Sequence, residues 1–155
     1  MSGEISLPPG KWGVVFEEKG TASDSVYDQR VTVFSGYGAV LGTFKGSSTP
    51  NPFKPKDPLI KGKKAYPFVK PGVYPITHGF HKGKHALVVN NDGNVPTTDL
   101  NPNFPSQGAN ARYIRIHWGY SKAWKGSAGC PTIHPLNWNS FLCTLPSGQG
   151  FVIIP

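Results

Sequence analysis

One histidine and one cysteine within residues 111–135 have the types and the spacing for covalent chemistry. His117 closes a run in which Tyr113, Arg115 and His117 fall on one face and Ile114 and Ile116 on the other, the period of a β-strand. Trp118 and Gly119 follow, then a loop that ends in Gly126-Ser127-Ala128-Gly129-Cys130. One turnback brings His117 and Cys130 together. A thiol becomes a strong nucleophile when a neighbouring imidazole takes its proton. The small residues before Cys130 permit tight backbone geometry, with φ > 0 at the glycines. The N–H groups of Ala128, Gly129 and Cys130 can then turn towards the oxyanion of a tetrahedral intermediate. A base at a strand end and a nucleophile on a glycine-rich turn point to cysteine-dependent acyl transfer. An unpaired cysteine is also at home as a small buried hydrophobe, so it is the surrounding pattern that carries the catalytic reading.

That pattern, I-R-I-H-W-G, then G-S-A-G-C, then a short helix, resembles the catalytic domain of L,D-transpeptidases of the YkuD type. His117, Ser127, Gly129 and Cys130 match the family motif residue by residue. Ala128 stands where the family commonly has histidine, and Thr132 where it usually has arginine, so the resemblance is to a divergent branch with a Ser-Ala-Gly-Cys turn. It implies a YkuD-like β-sandwich and a peptidoglycan stem peptide as substrate. It also implies Cys130 as nucleophile, His117 as base, and the backbone carbonyl of Trp118 as the acceptor that orients His117. The backbone amide of Gly129 would serve the oxyanion. Ser127, Tyr113, Arg115 and Thr132 are the expected substrate-side residues, with Arg115 supplying the positive charge that Thr132 lacks. Transpeptidation, L,D-carboxypeptidation and a wall-damaging toxin share such a site and are all left open.

The elements that must position these residues are mostly strands. At 155 residues, with 37% hydrophobic content, the chain is long enough for one domain with its own core. Its 19 glycines and 16 prolines favour short strands joined by many turns. The expectation is a single mainly β domain over residues 1–155, a sandwich with one short C-terminal helix. Residues 13–17, 29–34, 39–44, 72–76, 85–90 and 150–154 read as further strands, the second and third paired as a hairpin across Gly36-Tyr37-Gly38. Asn91-Asp92-Gly93 reads as another hairpin turn. After Cys130, Pro135 suits a first helical position, and Trp138, Phe141, Leu142 and Leu145 form one apolar helical stripe that belongs in the core. Cys143 lies off that stripe and has no assigned role.

Sixteen Lys and Arg against eight acids give a net charge of +8, which favours anionic partners such as the carboxylate-rich bacterial wall or nucleic acid without choosing between them. Residues 45–71 mix lysines with prolines and read as an exposed connection. Residues 94–110 read as a loop over the site. The second functional reading is therefore a non-catalytic basic module that binds wall polymer or nucleic acid; the motif makes the stem peptide the expected partner. His78, His81 and His85 could hold a metal, but no carboxylate or cysteine lies nearby in sequence, so neither metal nor cofactor is expected. No apolar run reaches membrane-spanning length. Residues 1–9 carry no Sec-type leader pattern. For a protein acting in the periplasm or on the wall, this implies a non-Sec route, a phage origin or a trimmed chain.

Overall fold

A computed structural model describes residues 7–49, 68–98, 110–127 and 129–155. The Lys/Pro-rich stretch at 50–67, residues 99–109 of the expected covering loop, and Ala128 lie outside the described residues. The chain is mainly β with one short helix. Its strands are β1 (Gly13–Phe16), β2 (Gln29–Phe34), β3 (Val40–Ser47), β4 (Phe68–Val69), β5 (Gly72–His81), β6 (Lys84–Val89), β7 (Val95–Thr98), β8 (Asn110–Ala111), β9 (Arg115–Trp118), β10 (Thr132–Ile133) and β11 (Gly150–Ile154). The helix α1 (Trp138–Thr144) lies between the last two strands.

Eight of the strands close into a barrel in the order β1-β11-β5-β6-β9-β10-β3-β2, where the sequence pattern suggested a sandwich. The reason lies in β1. It pairs antiparallel with β2 and parallel with β11, so both of its edges are used and no free sheet edge is left to face a second layer. Strands β4, β7 and β8 form a separate small sheet. Alternate positions along the barrel strands point inwards. Val14, Phe16, Val31, Val33, Ile76, Leu87, Ile116, Ile133 and Val152 are all buried in one cluster. Helix α1 packs Phe141 edge-on against Phe44 of β3, ring centres 5.6 Å apart, and sets Trp138 5.8 Å from Trp118 of β9. Trp138 and Phe141 of the helical stripe are buried, whereas Leu142 and Leu145 are only partly so.

Several local expectations change. Strand β5 runs on past Ile76 to His81 and turns at Lys82 and Gly83, whose φ values of 51° and 75° suit a two-residue hairpin turn. The turn at Asn91-Asp92-Gly93 makes no hairpin, because β6 pairs with β5 and β9 while β7 crosses to the small sheet. Tyr113, expected on the strand face of His117, has φ 61° and precedes β9. Most important for the site, β10 runs parallel to β9, with Thr132 opposite His117 and Ile133 opposite Trp118. The link between them is thus a crossover over residues 119–131, as parallel pairing requires.

Ile133 is fully buried on the strand that follows the cysteine. Ile133→Ala is expected to lower the unfolding free energy by about 2–5 kcal/mol, read from urea denaturation. A loss below ~1 kcal/mol would mean that β10 is not seated in the core.

Candidate active site

The parallel pair sets the frame. The His117 amide donates to the Pro131 carbonyl at 3.2 Å, and the Gly119 amide to Ile133 at 2.7 Å. Cys130 thereby comes to lie beside the start of β9. The Ser127 hydroxyl donates to the Cys130 carbonyl at 2.6 Å and accepts the Gly129 amide at 3.1 Å, closing the turn on itself. Gly126 and Gly129 have φ of 69° and 152°, conformations that a side chain would strain.

The cysteine opens onto a cleft of about 380 Å³ whose lining includes His81, Arg112, Tyr113, His117, Gly129 and Cys130. A cleft of about 450 Å³ elsewhere, under Leu7 and Tyr37, is mainly apolar and holds neither cysteine nor histidine. The Cys130 thiol accepts the Arg115 amide at 3.5 Å and donates to the Tyr113 carbonyl at 3.7 Å. It makes no hydrogen bond to His117 in this conformation. Burial pushes its pKa up, opposed by the Arg115 amide.

His117 is 1% exposed. Its Nδ1 lies 2.7 Å from the Trp118 carbonyl oxygen. A carbonyl can only accept, so Nδ1 carries the hydrogen and the neutral ring keeps its lone pair on Nε2. Burial drives its pKa down to about 4, helped by His81 and Lys82 and opposed by the Trp118 carbonyl. With the thiol raised and the imidazole lowered, the resting pair at neutral pH is uncharged on both sides.

The crossover that delivers Cys130 is pinned at two points. Buried Tyr27 donates its hydroxyl to the Ser121 carbonyl at 2.7 Å, and a Cβ at Gly119 would overlap that hydroxyl, so the residue after His117-Trp118 must be glycine. Lys125 is 6% exposed and donates to Ser47 Oγ at 3.1 Å and Thr49 Oγ1 at 3.3 Å, which fastens the loop to the end of β3.

The remaining sequence candidates divide. Tyr113 lies at the cleft mouth, 52% exposed. Arg115 does not face the cleft: its guanidinium sits over the Tyr113 ring at 3.9 Å and donates to the Phe80 carbonyl at 3.1 Å. Thr132 is fully buried in the barrel wall, and Ser127, 2% exposed, is spent on the turn; neither is among the residues that line the cleft. The Gly129 amide is occupied by Ser127, whereas the Cys130 amide makes no hydrogen bond among the described residues.

Of the three histidines at 78, 81 and 85, two pair and one leaves. His78 and His85 meet at 2.8 Å across the β5–β6 hairpin, with His78 Nε2 2.9 Å from the Pro146 carbonyl oxygen. The odd spacing along β5 sends His81 to the opposite face, into the cysteine cleft. Sequence reasoning did not single out Arg112, an exposed arginine on the cleft wall, because the alternation carried back through Tyr113 puts it on the face opposite His117, whereas the φ of 61° at Tyr113 breaks that alternation. No protein-family model, no curated protein and no solved structure matches this chain.

Lys125 yields a pH test. Burial lowers its pKa to about 8 from 10.5, so between those values the unfolded chain holds a proton that the folded chain does not. Stability contributed by this site therefore rises from pH 8 to 10.5. Denaturation midpoints of the wild type minus those of Lys125→Met should climb over that window; a flat difference would place the amine in water.

Proposed function

We propose that this chain is a cysteine acyltransferase or peptidase of the YkuD-like L,D-transpeptidase type, acting on peptidoglycan stem peptides in the periplasm or on the wall. The observation that carries this reading is a cleft that both Cys130 and His117 line, with the histidine held in its Nδ1–H tautomer by the Trp118 carbonyl. The net charge of +8 favours approach to an anionic wall.

In this mechanism the thiol rotates away from the Tyr113 carbonyl and gives its proton to His117 Nε2 as sulfur attacks the carbonyl that follows the L-centre of the diamino acid. The oxyanion is taken up by the Cys130 amide. The D-residue departs with the proton from His117 and leaves a thioester on Cys130. An amine then resolves the thioester in transpeptidation, or water in carboxypeptidation. Arg112 is the arginine on the cleft wall and is placed for a substrate carboxylate, the part first given to Arg115.

The test is incubation with a purified disaccharide-tetrapeptide and mass analysis of the products. Wild type is expected to release the terminal D-residue or form cross-linked dimers. Cys130→Ala should abolish both, and His117→Gln should slow them by about 10²–10⁴-fold, the usual contribution of a positioned general base. Equal turnover by Cys130→Ala and wild type would end the proposal.

A further inference from the structure

The acyl-transfer reading leaves one titratable ring in the cleft without a task. His81 ends β5, is 8% exposed, and lies flat against His117, ring centres 4.2 Å apart and planes 10° from parallel. Its Nε2 is 3.1 Å from the Tyr120 hydroxyl, and the Trp118 ring meets it edge-on at 5.2 Å. Its Nδ1 is buried and has no hydrogen-bond partner among the described residues. Among the described residues His117 has one hydrogen bond from its ring, to the Trp118 carbonyl, about which the ring could tilt; the flat face of His81 removes that freedom.

We propose that His81 is a positioning residue for the Cys130–His117 pair: the two stacked imidazoles carry at most one positive charge between them, and His117 accepts the Cys130 proton only while His81 is neutral. This rests on the reading of Cys130 as nucleophile and His117 as base. In that step the Sγ–H bond breaks, an Nε2–H bond forms on His117, and the electron pair stays on sulfur. A neutral His81 offers the new imidazolium an aromatic face, whereas a protonated one sets a like charge 4.2 Å away. The groups around the pair push the same way. Lys82, next in the chain, and Arg115 on β9 are cations that hold His81 below its usual pKa, after burial as the largest cause. Among the described residues, Tyr113, Tyr120 and Cys130 are the other titratable groups against the pair, and none of these is a carboxylate that would favour a second positive charge.

The experiment is a pH titration of the ring nitrogens by ¹⁵N–¹H correlation spectroscopy on the full chain, as wild type and as His81→Phe, which keeps the aromatic face and removes the second base. In the wild type both histidines should titrate with mutually distorted curves, as coupled sites do. In His81→Phe, His117 should follow a single-site curve with its midpoint raised by about half a pH unit or more, since the competing cation is gone. Two independent single-site curves in the wild type would overturn the proposal, as would an unchanged His117 midpoint in His81→Phe. If that variant fails to fold, the wild-type curves decide alone. The measurement uses no substrate, so its outcome is separate from whether the chain cleaves stem peptides.

Discussion

Two hydrogen bonds between parallel backbones, His117 to Pro131 and Gly119 to Ile133, set the register on which the candidate site depends. Side chains alternate across a strand, so a slip of one residue between β9 and β10 would turn the chain leading out of Cys130 to the other face. Parallel pairing also forbids a tight turn and forces a long crossover. A crossover without secondary structure would wander unless tied, and here Tyr27 and Lys125 tie it while the Ser127 hydroxyl closes the last turn under the thiol. The barrel supplies the rigidity behind these ties. Closure leaves β9 with a partner on each side, β6 and β10, so the histidine's backbone cannot shift without disturbing the wall.

Burial then sets the electrostatics. His117 is nearly inaccessible, and losing hydration penalises its cation more than the Trp118 carbonyl compensates. The same desolvation penalises the Cys130 thiolate. Such a pair does not rest as thiolate and imidazolium. In the proposed reaction it would separate charge only as the substrate carbonyl takes up the developing negative charge, and the Nδ1–H tautomer prepares that step by leaving the basic lone pair on Nε2. Aromatic rings fill the space around it. Tyr113 stands exposed at the mouth of the cleft with Arg115 over its face, and Tyr120, beside the His81 and His117 rings, carries Lys82 over its own.

Much of this was legible in the residues. The alternation from Ile114 to His117, the small residues before Cys130 and the apolar stripe of α1 are local signals, and local signals survive folding when core packing agrees with them. What was not legible is non-local. Whether a set of short strands stacks as a sandwich or closes as a barrel depends on which edges meet, and the pairing of β1 with β11 joins the two ends of the chain. Whether β10 lies parallel or antiparallel to β9 has no mark in the motif. His81 read as one of three clustered histidines because spacing alone does not say that β5 continues; once it does, His81 and His78 face opposite ways. Thr132 and Arg115 were assigned to the ligand from their places beside the motif, yet one is walled into the barrel and the other is held by Tyr113 and Phe80.

The central claim is that Cys130 is an activated nucleophile, and the chain carries its own control. Cys143 is also a free thiol and is the more exposed of the two. Exposure alone therefore favours Cys143, while activation by His117 favours Cys130. The most direct measurement is peptide mapping by mass spectrometry after exposure to a carbapenem, an acylating agent that the family resemblance implies for such a site. The account predicts a covalent adduct on Cys130 and none on Cys143. Modification of Cys143 alone, or of neither thiol, would contradict it.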